Sequence, residues 1–377
     1  MKIKRMKAVA RKEFIHLMRD PRSLAIGIAL PMMMLFLFGF ALTLDVDRVP
    51  ILVWDQDGTP QSREFISRFE ASRYFTVEGY ASGYPELEHA IDTRRALAAL
   101  IVPVEFAQKV ESGQTAGVQW IVDGSDSNTA QIATGYAEAV TAAFSRNALI
   151  RRLERAGITP PAITVDLRQR VWFNADLESR NYIIPGLIAV IMMVIAGLLT
   201  SLSVAREWDT GTMEQLISTP IQVPELILGK LTPYFCIALL DVGLAVLMGE
   251  FLFHVPLRGN VALLFLLASV FLVGALALGM MISIVTKTQL LASQLAMIAT
   301  FLPTFLLSGF AFDIANMPRV LQAISYLIPA RYFIVIVKGI YLKGIGMEIL
   351  LPEAALLVVF GVLVLLLAHI KFKKKMV

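Results

Sequence analysis

Charge is what this sequence has least of. Asp, Glu, Lys and Arg make up only 17% of its 377 residues against 56% that are hydrophobic, and the mean hydropathy is +0.67. A soluble domain carries nearer about a quarter charged residues, so these numbers exclude a water-facing globular chain. They exclude disorder too, which needs low hydrophobicity and high net charge; here 34 Lys+Arg against 30 Asp+Glu leave +4. A single cysteine, Cys236, leaves no internal disulfide framework and no Cys-based zinc site. The four histidines (His16, His89, His254, His369) are scattered and form no ligand-spaced pair. No G-x-x-x-x-G-K-[ST] loop occurs, so the chain has no such cradle for nucleotide phosphates. What is left is the composition of a membrane protein.

Six apolar runs approach the length of about 20 residues that a helix needs to cross a bilayer core. They are Leu24–Leu44, Ile183–Ala205, Leu231–His254, Val261–Val285, Leu290–Phe312 and Ile349–Ile370. The stretch Val320–Leu342 is apolar enough to tempt a seventh, but Pro329 and Arg331 lie at its centre. An arginine at mid-bilayer costs at least about 2.5 kcal/mol and proline removes a backbone donor. The first 22 residues hold eight Lys/Arg, and Lys371, Lys373, Lys374 and Lys375 close the tail. The positive-inside rule then puts both ends in the cytoplasm and demands an even number of spans. Residues 313–346 are therefore expected to form an outer re-entrant or interfacial hairpin, sheltered by protein.

Residues 1–22 do not read as a cleaved signal peptide, because the following apolar stretch is long, Glu13 and Asp20 interrupt the leading segment, and no small-x-small site follows. Residues 3–18 place Met6, Val9, Ala10, Phe14, Leu17 and Met18 on one helical face and leave Lys2, Lys4, Arg5, Lys7, Arg11 and Lys12 for anionic headgroups. That pattern predicts an interfacial helix ahead of a first span over residues 23–44; a basic flank that only sets topology is the alternative.

Between the first two spans, residues 45–182 are numerous enough for a domain and turn soluble, with 19 of the 30 acids and 14 of the 34 basic residues. Short apolar runs alternate with amphipathic stretches. Strands are expected at Ile51–Trp54, Phe75–Tyr80, Leu97–Val102 and Val118–Val122, and helices at Pro60–Ala71, Pro85–Arg95, Phe106–Glu111 and Asp126–Arg155. The fold class is thus a polytopic α-helical membrane protein of six transmembrane helices with an inserted extracytoplasmic α/β domain. Asp55, Asp57 and Gly58 resemble the opening of a calcium loop but lack its later ligands, and Asp123, Asp126 and Asn128 are accounted for by a turn and a helix cap. No metal site and no catalytic constellation is expected.

The segment 206–230 separates the second and third spans. It runs Arg206-Glu207-Trp208-Asp209-Thr210-Gly211-Thr212-Met213-Glu214-Gln215-Leu216, then Ile217-Ser218-Thr219-Pro220, and on to Lys230. A break at Gly211 and a short amphipathic turn ended by Pro220 suit a small helix. Acids here are out of place in a purely topological cytoplasmic loop, which would favour Lys/Arg, and suit docking to a partner.

This stretch resembles the signature of permease subunits of type-2 ATP-binding-cassette exporters, roughly Arg-Glu-x-Glu-x-Gly-Thr-x-Glu-x-Leu followed by Thr-Pro. Arg206, Glu207, Gly211, Thr212, Glu214, Leu216, Thr219 and Pro220 match; Asp209 replaces a glutamate, and Trp208 stands where a basic residue is common. The basic N-terminal helix, the large external domain and the run Pro329–Phe333 fit the long-loop branch of that family. The resemblance implies that residues 206–220, with Gln215 among them, contact a separate cytoplasmic ATPase subunit. That subunit would bind ATP and Mg, leaving this chain no cofactor and no catalytic site of its own. It implies a second permease copy or paralogue, a place in the bacterial inner membrane, and room for a periplasmic adaptor; no nucleic-acid partner is expected.

Ionisable residues inside spans are candidates for the pathway or for a dimer seam, because charge in hydrocarbon is costly. Here they are Asp241 and Glu250, with His254 nearby; a hydrogen-bonded structural group is the other reading. Met32–Met34, Met192, Met193, Met280 and Met281 offer an adaptable surface or, more simply, lipid-facing filler. Gly274, Ala275, Ala277 and Gly279 are expected at close helix contacts, and Cys236 as a small buried residue. The rival functions are a secondary transporter or channel, which would want broken helices in inverted halves, and a membrane receptor or scaffold sensing through the external domain.

Overall fold

The computed structural model describes residues 3–42, 48–155, 172–174 and 178–372. The chain separates into two compact units, Met1–Thr43 with Arg170–Val377, and Leu44–Gln169. The first unit opens with helix α1 (Ile3–Arg19), then the short α2 (Pro21–Leu24), a π turn at Ala25–Ala29, and α3 (Leu30–Ala41). The π turn precedes Pro31, whose ring crowds the turn before it and whose missing N–H breaks the ladder there. Ala25–Ala41 is apolar but shorter than the full-length spans. Residues 43 and 44, which would close the expected first span, lie outside the described residues, as do Lys373, Lys374 and Lys375.

The second unit is a small α/β domain with all the elements its alternating pattern predicts. In order they are β1 (Val49–Asp55), α4 (Pro60–Glu70), β2 (Phe75–Tyr80), α5 (Tyr84–Asp92), β3 (Ala98–Val102), α6 (Phe106–Ser112), β4 (Gln119–Val122) and α7 (Ser127–Arg155). The sheet order is β2-β1-β3-β4, with β1 parallel to both β2 and β3, and β4 antiparallel to β3. Alternation along the strands sorts the core. Val49, Ile51, Val53, Ala98 and Leu100 join Phe65, Phe69, Phe106 and Phe144, whereas Leu52, Ala99 and Ile101 join Leu87 and Ala90 of α5. The acids weighed as cation ligands are turn builders. Asp55 accepts from the N–H groups of Asp57 and Gly58 at 3.1 and 3.0 Å and from Ser62 Oγ, and Asp126 accepts from the N–H of Asn128 at 3.1 Å.

The first unit resumes with α8 (Ser179–Asp209), α9 (Thr212–Ser218), α10 (Val223–Leu247, carried to Leu252 by a π turn), α11 (Val261–Thr286) and α12 (Gln289–Leu307). It ends with α13 (Arg319–Ser325), α14 (Pro329–Lys338, carried to Lys343 by a π turn) and α15 (Met347–Lys371). The molecule is mostly helical, and among the described residues five helices are long and apolar enough to cross a membrane, or six if the bent pair α13–α14 is one span. That pair turns through 81°. Pro329 opens α14, where a missing N–H is harmless, and Arg331 folds back over the bend. Its guanidinium donates to Ser325 Oγ and lies 3.9 Å from the Tyr326 ring centroid.

Helix α8 is the axis, with 94% of its most apolar window buried against α11, α12, α14 and α3. Glycines set the closest crossings. A methyl group at Gly279 would overlap the Gly197 carbonyl oxygen and Thr200 Oγ1, and one at Gly274 would meet the Phe360 ring at 3.0 Å. Thr200 Oγ1 also donates across this crossing to the Leu276 carbonyl at 2.9 Å. Three expectations change. Met192, Met193 and Met280 are core residues on buried faces of α8 and α11, not lipid-facing filler. Cys236 is exposed, on the side of α10 away from buried Tyr234 and Ile237. α10 begins at Val223, eight residues before the expected span, because Gln222 and Glu225 form a capping box and Pro224 fits the first turn.

Candidate functional site

The segment 206–230 joins α8 to α10 through a sharp corner. Gly211 adopts φ +72°, a left-handed conformation that costs a residue with a Cβ about 1–2 kcal/mol, and this breaks α8 from α9. Thr212 Oγ1 donates back to the Glu207 carbonyl at 3.4 Å, and Thr219 Oγ1 donates to the Leu216 carbonyl where α9 ends. Met213 is fully buried, and Leu216 packs with it against Ile221, Val223 and Leu226. Glu214, Gln215 and Ser218 are left exposed on the outer side of α9, with Pro220 exposed just beyond it.

The motif residues divide accordingly. Arg206 Nη1 lies 3.0 Å from Asp20 Oδ2 and 3.1 Å from His16 Nε2. Asp209 is exposed, and its Oδ2 accepts from the backbone N–H of Gln289 at 2.9 Å and from Gln289 Nε2 at 3.1 Å, holding the start of α12. A carboxylate at a helix N-terminus meets unsatisfied N–H groups and the positive dipole end, which gives the shorter acid a use. Trp208 stands under a cation after all, with Lys287 Nζ 4.9 Å from its ring centroid.

Glu207, one of the acids read as suited to docking a partner, does not lie on the surface. It is buried at 6% exposure and is paired inside the protein. Lys230 Nζ, itself 1% exposed, lies 2.9 Å from Glu207 Oε2 and 2.9 Å from Glu13 Oε1. Lys12 reaches Glu207 Oε1 at 2.7 Å from the surface. Burial works to lower the Lys12 pKa, but the hydrogen bond and charge of Glu207, with Glu13 beside it, leave it raised. Two carboxylates and two ammonium groups thus balance in one cluster, the arrangement burial demands of charge. It ties α1 to both ends of segment 206–230. Contact is close, since a methyl at Gly229 would meet Val9 Cβ at 2.8 Å and the Met6 carbonyl oxygen at 3.0 Å. Arg5 adds a hydrogen bond to the Pro220 carbonyl.

Glu13, Lys12 and Lys230 carry this cluster and were not legible as site residues. The one available signal was an acid in the middle of a basic helix. The α1 face also resolves differently from the single stripe expected. Val9 and Leu17 are buried against protein, whereas Phe14, Ile15, Met18 and Ile3 stay exposed between basic side chains.

The other candidates do not join this cluster. Asp241 is fully buried in α10, and neither carboxylate oxygen has a hydrogen-bond partner among the described residues. Glu250 is exposed in the π turn that follows, and His254 is exposed with φ +55°. Pro329 and Arg331 are at the α13–α14 bend described above. Among the described residues no group of three His, Cys, Asp or Glu could hold a metal ion.

Comparison with known proteins covers nearly the whole chain. Residues 21–370 match the family described as ABC-2 family transporter protein. The chain is 35% identical over 374 residues to the probable multidrug ABC transporter permease YbhS of Escherichia coli K12, covering 99% of this chain and 98% of that protein. It is 31% identical over 348 residues to the probable multidrug ABC transporter permease YbhR of the same organism, covering 92% of each. ABC transporter G family member 20 of Dictyostelium discoideum is 22% identical over 365 residues, 96% of this chain but 49% of that longer protein. With a match of this extent, the chain belongs to the ABC-2 family of transporter proteins and is a multi-pass membrane permease of an ABC transporter.

Proposed function

We propose that the chain is the membrane-spanning subunit of an ATP-driven exporter, moving a hydrophobic or amphipathic substrate out of the cytoplasm or inner leaflet. Its motor is a separate cytoplasmic ATPase subunit holding ATP and Mg, and a second permease, copy or paralogue, completes a pathway of twelve spans. In this reading Ala25–Ala41 and the five long helices cross the inner membrane, α13–α14 is an external hairpin, residues 45–182 are extracytoplasmic, and both termini are cytoplasmic. The relatives named as multidrug permeases support an amphipathic cargo, and the absence of a phosphate-cradling G-x-x-x-x-G-K-[ST] loop supports a separate motor.

The single observation that carries the coupling role is the division within 206–220. Arg206, Glu207 and Asp209 bind this chain's own helices, which leaves Glu214 and Gln215 as the exposed polar face of a short helix at the end of the most enclosed one. The partner docks on α9 through those two residues. Copurification in mild detergent with the co-expressed ATPase subunit tests this. Glu214→Lys with Gln215→Lys should reduce recovered ATPase by about tenfold with the permease still folded, the scale of loss expected at an interface centre. Unchanged recovery would sink the docking role, and ATPase activity from the purified chain alone would overturn the separate motor.

A further inference from the structure

The α/β domain has an open cavity of about 310 Å³ between α6, the segment that follows it and α7, at the lower end of the size range of small-molecule sites. Its floor is aromatic. Phe65 and Phe144 lie 5.0 Å apart between ring centroids, Phe65 and Phe106 lie 5.3 Å apart, and Val110 and Val118 add to the lining. Among the described residues Arg152 is the only charged one lining it. The guanidinium lies directly over Gly113, where any Cβ would collide with it; Gly113 ends α6 at φ +75°. Glycine there both turns the chain and makes room for the cation.

A second cavity of about 160 Å³ shares Val110, Phe144, Ala148 and Arg152 with the first and is polar, adding Arg151, Arg155, Glu64 and Glu111. Its three arginines outnumber its two acids. Glu64 is paired with Arg151 at 2.8 Å, a hydrogen bond that holds its carboxyl below the usual range, and Glu111 accepts from Gln61 Nε2 at 2.5 Å. Among the described residues Arg152 and Arg155 have no ion-pair partner. A cavity with an aromatic floor therefore shares a wall with a compartment in which arginines outnumber carboxylates.

We propose that these adjoining cavities bind an anionic amphiphile, its apolar tail on Phe65, Phe106 and Phe144 and its carboxylate, sulfate or phosphate head at Arg152 and Arg155. Guanidinium groups suit such heads because they offer several N–H donors in a fixed plane. The site is a matter of binding and stands apart from the export reading, so either can fail without the other.

The test uses the full chain in phosphatidylcholine nanodiscs with a diazirine-bearing decanoate, photolysed and mapped by mass spectrometry. Adducts are expected on peptides covering residues 106–118 and 141–152. Unlabelled decanoate should compete and decyltrimethylammonium should not. Ala148→Trp, at a residue that lines both cavities, should lower labelling by about tenfold, and Arg152→Glu, on an exposed side chain, by about fivefold. Should Ala148→Trp not fold, Arg152→Glu decides. Adducts confined to the apolar helices, equal competition by the cation, or labelling undiminished in the folded variants would each overturn the proposal.

Discussion

Lys230 carries a charge at 1% exposure, and its neighbours explain how that is tolerated: Glu13 and Glu207 each stand 2.9 Å away. Removing one member of such a set leaves the rest buried and uncompensated, which costs about 3–5 kcal/mol, while neutralising all members together can be nearly free. Lys230→Met should therefore sharply lower the unfolding temperature in detergent. The triple change Glu13→Gln, Lys230→Met, Glu207→Gln should restore much of the loss. If Lys230→Met melts like the parent, the cluster is not a structural tie. Glu13 and Lys230 lie 217 positions apart in sequence, so periodicity and motif spacing could not pair them. Arg206 and Glu207 stood out as motif residues, yet which of them faces outward depended on the tertiary position of α1. Asp209 was legible as a charge and not as a cap, because the helix it caps begins 80 residues later.

Helices were the most legible level, since length and hydropathy are local properties. Ile183–Ala205 falls inside α8, which overruns it by four residues at each polar end, and Val261–Val285 falls inside α11, which adds only Thr286. Ends set by special backbone were less legible. The fifth run was expected to reach Phe312 but α12 stops at Leu307, just before Gly309 at φ +81°. The small residues marked for close contact do serve it, because a glycine opposite a glycine lets two helix backbones touch. At Gly279 the wall is backbone and cannot move aside. Gly279→Val should separate α8 from α11 and abolish folded yield by size-exclusion profile, whereas Gly135→Ala, in open space on α7, should leave it unchanged. A normal profile for Gly279→Val would mean the crossing tolerates the added bulk.

On the scale of the whole molecule, a net charge of +4 conceals a partition, with eight basic residues in the first 22 and 19 of 30 acids within residues 45–182. The alternating pattern within that stretch foreshadows the strands and helices of the second compact unit, Leu44–Gln169; its place outside the cytoplasm is part of the proposed orientation. The lone cysteine makes this testable. In a Cys236→Ser background, Ser125→Cys should react with a membrane-impermeant maleimide in intact spheroplasts. Lys7→Cys should react only after permeabilisation. The reverse pattern would invert the topology.

The end of α8 has a consequence for reading genetics in this family. Arg206 holds Asp20, Glu207 holds Lys230 and Asp209 holds the first turn of α12, so one helical turn anchors three other segments. On the proposed coupling role, defects at these positions would silence transport while leaving the docking surface of Glu214 and Gln215 chemically intact. An allele screen alone would file them with lost contacts to the motor. Only binding measured apart from turnover tells a broken handle from a slack linkage behind it.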